Sequence, residues 1–125
     1  GISSSNGRAS IIDESCPNTA YQTKVTSDGD IPLCSITELV RQHESLGGEI
    51  FMIKVDIEGF ESDLFSCHTE WIEKTPILIV ELHDWMFPGE AVSRSFLEAV
   101  SKNNRDFILV GENVFSIINH FTDNK

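Results

Sequence analysis

The sequence predicts an α/β fold: parallel strands linked by crossing helices, ending in an antiparallel hairpin. Three observations carry this expectation. Two nearly continuous apolar runs, residues 49–56 (EIFMIKVD) and 77–83 (ILIVELH), read as strands covered on both faces. Apolar residues recur at helical spacing between and after them. The chain then closes on two short apolar runs, 107–110 and 114–118, joined through Gly111, Glu112 and Asn113, which is hairpin spacing. From Glu49 onward the order is strand, helix, strand, helix, strand, strand, and such alternation calls for right-handed crossovers.

Residues 1–20 are rich in Ser, Asn and Gly and hold only the apolar pair Ile11 and Ile12, so they read as loop with one short strand. Tyr21, Thr23 and Val25 alternate with polar neighbours as a half-buried strand does, up to the turn signal Ser27, Asp28, Gly29. Ser35 and Glu38 have capping-box spacing, and Ile36, Leu39, Val40 and His43 share one face of the helix they open. Gly47 and Gly48 stop it. Residues 49–56 are then a central parallel strand interrupted only by Lys54. After a turn at Glu58 and Gly59, the spacing of Phe60, Leu64, Cys67, His68 and Trp71 predicts a helix of about three turns. Pro76 starts the next strand. A loop with Trp85, Met86, Phe87 and Pro88 leads to a helix carrying Val92, Phe96, Ala99 and Val100, broken by Asn103 and Asn104. For the Trp85 loop, core packing is the favoured reading, and a wall or lid at the ligand end the alternative. No repeat or low-complexity tract divides the 125 residues.

Composition narrows the function. With 40% hydrophobic residues the chain can bury a core without metal or disulfide staples. Nine Lys and Arg against twenty Asp and Glu give a net charge of −11, which disfavours nucleic acid and anionic membrane as partners. No apolar run approaches the roughly 20 residues that span a bilayer. Cys16, Cys34 and Cys67 are widely spaced and odd in number, so a disulfide framework or zinc site is not suggested; a reducing, cytoplasmic setting is expected. The first residues lack the features of a secretory signal, and the absence of an initial Met suggests a piece of a longer chain.

In open α/β sheets ligands sit outside the carboxyl ends of the strands. Two strand ends stand out here: VDIEGFE, with Asp56, Glu58 and Glu61, and VELHD, with Glu81, His83 and Asp84. Residues 56–90 hold nine acidic residues and one base, Lys74, a density that repels itself unless a cation or a helix end offsets it. Asp56 can accept a substrate proton or ligate a cation, with Glu58 near the same mouth. The competing reading is that such acids only complement a helix N-terminus, and Glu61 in particular reads as a solvated first-turn residue. Glu81, among apolar neighbours, needs a partner, for which Lys54 on the adjacent strand is the first candidate. His83 is a candidate general base. Asp84 reads as a turn residue, and His43, His68 and His120 as unconnected with a site. Phosphate-loop, dinucleotide, serine-hydrolase and zinc-protease signatures are all missing.

IKVDIEGFE, a helix, PILIVELHD, a helix and a hairpin together resemble the C-terminal half of FkbM-type methyltransferases. The resemblance covers about residues 31–119, including IPLCSITELV, and leaves 1–30 as loop and short strands. It implies a Rossmann-like class I methyltransferase sheet, S-adenosylmethionine as cofactor, and O-methylation of a small molecule or sugar hydroxyl. Asp56 and Glu58 match the family's acidic pair, Glu81 and His83 its second cluster. The family's first half, with its glycine-rich turn and ribose-holding acid, has no counterpart here, so the chain is expected to be a partial domain, inactive alone, with an unpaired sheet edge prone to self-association. On this reading Asp56 or His83 is the base, and Glu58 and Glu81 position substrate or cofactor. A divalent cation between Asp56 and Glu81 is a further expectation. The alternatives are a metal-dependent glycosyl- or phosphoryl-transfer domain using Asp56 and Glu58, and a binding module without catalysis.

Overall fold

A computed structural model describes residues 1–12 and 22–119. Cys16, Tyr21 and His120 lie outside the described residues. The architecture is mixed α/β with two four-stranded sheets.

The first sheet contains β1 (Ile2–Ser3), β2 (Gly7–Ile12), β3 (Gln22–Val25) and β4 (Ile31–Ser35), in the order β1-β4-β2-β3. Only β1 and β4 run parallel. For residues 1–12 this corrects the expectation of loop with one short strand, and β4 is a strand that the sequence reading did not name. In GRASII the small Ala9 is buried, and β2 is held by ladders on both sides, to β3 and to β4. The helix α1 (Ile36–Ser45) starts as expected: the Ser35 hydroxyl accepts from the Glu38 amide at 3.2 Å. Gly47, at φ +80°, supplies the left-handed turn after it.

The second sheet carries the site. It comprises β5 (Met52–Val55), β6 (Ile77–Glu81), β7 (Arg105–Val110) and β8 (Asn113–Ile118), in the order β5-β6-β8-β7. β5 and β6 are parallel, whereas β8 is antiparallel to both of its neighbours. The expected parallel pair and closing hairpin are both present, with Gly111 at φ +61° in the turn. Two expectations fail. The run 49–56 is not a central strand: β5 ends the sheet, and its outer edge pairs with no strand among the described residues. Nor is the sheet covered on both faces. Register places Val55, Leu78, Val80 and Val114 on one face, where they join Leu64, Phe65, Trp71, Phe96, Ala99 and Val100 in the core. On the other face Met52 and Lys54 are exposed and Ile77, Ile79, Phe115 and Ile117 are only half-buried.

The expected three-turn helix after β5 is also shorter. It consists of α2 (Glu61–Leu64), a turn, and a 3-10 turn at Glu70–Ile72. Ser66, Cys67, His68 and Thr69 are weak helix formers. Ser66 turns its hydroxyl back onto the Asp63 carbonyl, and His68 takes φ +55° while its carbonyl accepts from Thr37. Leu64, Phe65, Trp71 and Ile72 still reach the core, which is why the spacing looked helical. Asp63 ties the first sheet to α2 by accepting from the Ser3 hydroxyl at 2.7 Å and the Ser4 amide at 3.1 Å. The last helix, α3 (Arg94–Val100), buries Phe96, Ala99 and Val100 as expected.

Candidate functional site

The carboxyl ends of the parallel pair β5 and β6 lie side by side, because Val55 and Val80 are register partners. Asp56 and Glu81 follow them by one residue each, and His83 turns in from just beyond β6. Nε2 of His83 lies 3.7 Å from Oε1 of Glu81 and 3.9 Å from Oδ1 of Asp56, and one ligand atom from each of the three residues lies within 4.8 Å of the other two. Of the four residues expected at the site, Asp56, Glu58, Glu81 and His83, the structure brings these three together. Glu58 does not join them: it is exposed, at φ +53°, in a turn completed by Gly59 at φ +91°.

His83 is held from behind. Its Nδ1 is 2.6 Å from Oε1 of Glu61, and only 3% of His83 and none of Glu61 is exposed. With Glu61 as the carboxylate, its oxygen accepts and Nδ1–H donates, an arrangement in which a neutral ring keeps its lone pair at Nε2. That nitrogen faces Glu81 at 3.7 Å and Asp56 at 3.9 Å, both beyond hydrogen-bonding distance. Glu61 was expected to be a solvated first-turn residue, and the structure corrects this. The sequence did hold a signal, since Glu61 shares the three- and four-residue spacing of the buried Leu64 and Phe65. Its second oxygen, Oε2, is buried without a hydrogen-bond partner among the described residues.

Glu81 is half-buried and is not compensated by Lys54. The Lys54 ammonium instead lies 3.3 Å from Oδ2 of Asp56, with both side chains substantially exposed. The partner of Glu81 is Glu112, in the β7–β8 turn, which the sequence reading left out. Their hydrogen bond holds the Glu81 carboxyl above the usual carboxylate range, with burial and the charges of Asp56 and Glu112 adding to it and His83 partly offsetting it. Glu81 and Asn113 are register partners, which brings Glu112 to this strand end.

The surrounding loops fit together. A Cβ on Gly59 would fall 2.2 Å from the Phe87 ring, so glycine is what lets the loop after β6 close on the turn after β5. Asp84 is a turn residue, as expected, accepting from the Ser93 amide at 3.3 Å. Trp85 is not core: it is 69% exposed, with its ring centroid 6.5 Å from that of His83. His43 and His68 are exposed and away from the cluster. An apolar groove of about 290 Å³ runs between α1 and β5, lined by Ile36, Val40, Ile53, Val55 and Leu64 with Lys54 at its rim.

The arrangement can bind a cation or accept a proton at a strand end open to ligands. Comparison with protein-family models, with curated proteins and with solved structures gives no match for this chain. No helix among the described residues is long and apolar enough to cross a membrane.

Proposed function

We propose that this chain contributes the substrate-side half of an S-adenosylmethionine-dependent methyltransferase acting on a hydroxyl of a small molecule or sugar. The observation that carries the reading is the convergence of Asp56, Glu81 and His83 at the adjacent carboxyl ends of β5 and β6. The strand order β5-β6-β8-β7, with an antiparallel strand between two that run the other way, supports a Rossmann-like methyltransferase sheet as its context. The donor chemistry also fits the cofactor. Its sulfonium and amino groups are cationic, and carboxylates dominate this mouth. When bound, the cofactor supplies an electrophilic methyl group.

The chain's own residues then have two tasks. One is to hold the acceptor oxygen in line, for which the exposed Trp85 ring beside His83 is a wall. The other is to draw off the hydroxyl proton, and the cluster is where that proton goes. Nε2 has a lone pair free because Glu61 holds Nδ1, and the nearby carboxylates stabilise the cation that forms there. Glu58 stands apart from the cluster, so the particular Asp56–Glu58 pair on which the glycosyl- or phosphoryl-transfer alternative was based is not part of it.

Label from methyl-tritiated S-adenosylmethionine, offered with a panel of sugars and hydroxylated small molecules, should pass to a hydroxyl in the presence of the longer protein containing this segment. Asp56→Asn should lower the rate at least about tenfold while leaving the fold intact. Transfer unchanged by Asp56→Asn and by His83→Gln, or no transfer to any hydroxyl, overturns the reading.

A further inference from the structure

We propose that Oδ1 of Asp56, Oε1 of Glu81 and Nε2 of His83 are the protein ligands of a divalent cation of the borderline class that includes Mn²⁺. Carboxylates alone would not carry this, because exposed acids cluster at many strand ends. The deciding observation is the histidine. Its ring is buried and fixed by Glu61, yet among the described residues Nε2 has no hydrogen bond and points at two carboxylate oxygens 3.7 and 3.9 Å away. Acceptor lone pairs of three groups therefore face one another, and no donor among the described residues is bonded to Nε2. Either a proton or a metal ion resolves that arrangement, and the distances are too long for a hydrogen bond.

The dimensions suit a metal. Ligand atoms about 2.0 to 2.2 Å from a cation lie roughly 3 to 3.5 Å from each other. The three groups here, with one ligand atom of each within 4.8 Å of the other two, reach such spacing through small side-chain rotations of the two partly exposed carboxylates. His83 itself need not move. A carboxylate behind a ligating imidazole is also the usual support that fixes the tautomer of a metal-bound histidine, and Glu61 stands in that position. Lys54 approaches Oδ2 of Asp56 and leaves Oδ1 for the cation. A divalent charge would further relieve the repulsion among Asp56, Glu81 and Glu112. One imidazole with two carboxylates favours Mn²⁺, Fe²⁺ or Zn²⁺ over Ca²⁺.

The cation's role, though not its binding, rests on the methyl-transfer reading: it would put positive charge beside the acceptor oxygen, and His83 would then serve as ligand in place of base. The test is titration of the chain with MnCl₂, followed by calorimetry and by paramagnetic broadening of the His83 ring signals. One Mn²⁺ per chain with Kd of about 100 μM or tighter is expected. Affinity should fall at least tenfold in Asp56→Asn and in His83→Gln, and stay unchanged in the distant Glu73→Gln. Glu61→Gln, which keeps all three ligands, should weaken binding by about 10- to 100-fold. The broadening needs no variant, so a misfolded mutant does not stall the test. Several weak millimolar sites, an unbroadened His83, or Ca²⁺ binding as tightly as Mn²⁺ overturns the site. Methyl transfer without Mn²⁺ binding would sink this inference and leave the function standing; Mn²⁺ binding without transfer would do the reverse.

Discussion

Nδ1 of His83 and Oε1 of Glu61 are 2.6 Å apart, and both side chains are buried. This contact joins the start of α2 to the end of β6 across 22 residues of sequence. A buried carboxylate with one oxygen unpartnered is costly, and an apolar residue would pack there with less penalty. What Glu61 adds is orientation: it decides which ring nitrogen faces the crevice.

Replacing Glu61 should therefore separate stability from function. In Glu61→Gln the buried charge is gone, so the melting temperature should be unchanged or higher. The amide can, however, present N–H to Nδ1, which moves the ring proton to Nε2 and blocks it. Methyl transfer should fall at least about tenfold. Glu61→Leu instead leaves Nδ1–H unpaired and should cost about 1 to 3 kcal/mol in denaturant unfolding. A Gln variant as active as the parent would show that the contact is structural only.

Glu81 predicts the pH dependence. Its carboxyl titrates higher in the folded chain than in the unfolded one, chiefly because it hydrogen-bonds to Glu112. The folded state thus holds the proton more tightly. The stability this gives is complete below the ordinary carboxylate range and is lost as pH rises through the raised value. Carbon-13 NMR titration should place Glu81 above a normal glutamate. Glu112→Gln, whose amide donates to the carboxylate, should bring it back down and reduce the loss of stability towards neutral pH. An unmoved Glu81 titration would show that the two carboxyls do not share a proton.

Lys54 should matter less than its place in an apolar run suggests. Its partner is Asp56, in a pair largely open to solvent, and such pairs contribute about 0 to 1 kcal/mol. Lys54→Met should change unfolding free energy by no more than that. Lys54→Met and Glu81→Gln should add to within about 0.5 kcal/mol, since the two side chains do not pair and meet only through the exposed Asp56. Non-additivity above about 0.5 kcal/mol would show coupling that the geometry does not.

The sequence made the strand ends legible because apolar runs, turn glycines and acidic clusters are local signals. Asp56, Glu81 and His83 followed from the rule that ligands gather at those ends, and the structure brings them together. Glu61 and Glu112 were missed because their roles depend on what folds against them, one through a helix turned inward and the other through hairpin register. The helix after β5 was overread because its buried residues keep helical spacing across a break. The first sheet was underread because its ladders join segments far apart in sequence, which local patterning does not show.

Arg105 marks another position where tertiary context overrides pattern, since a buried arginine opens a strand that read as apolar from Phe107 onward. Its guanidinium reaches the Ser116 hydroxyl at 2.7 Å and the carbonyls of Ser116, Thr75 and Ile72 at 2.8, 2.9 and 3.0 Å. Burial draws its pKa down, yet the ring of acceptors satisfies its donors. Arg105→Met would strand several buried carbonyls and should cost about 3 to 5 kcal/mol, whereas an exposed arginine such as Arg94 should cost under about 1 kcal/mol. Urea unfolding of the two variants compares them directly, and equal losses would remove the buried network from the account.

The last prediction concerns the sheet's two outer strands. Among the described residues β5 leaves one edge unpaired, next to the exposed Phe51 and Met52. At the opposite edge Phe107, Ile108, Leu109 and Val110 of β7 are all exposed, with Leu109 the most open at 73%. Such edges offer backbone donors and acceptors to another chain, and apolar side chains on both faces of a strand reinforce the pairing. The −11 charge opposes association at low salt, and screening weakens that opposition. The isolated chain should therefore associate more as ionic strength rises, in the opposite sense to an assembly held by ion pairs. Leu109→Lys and Phe51→Lys, which place a charge at each edge without touching the core, should each shift the elution towards monomer in size-exclusion chromatography at 0.5 M salt. A chain that remains monomeric at high salt without either substitution would mean that these edges are already protected by their twist and length.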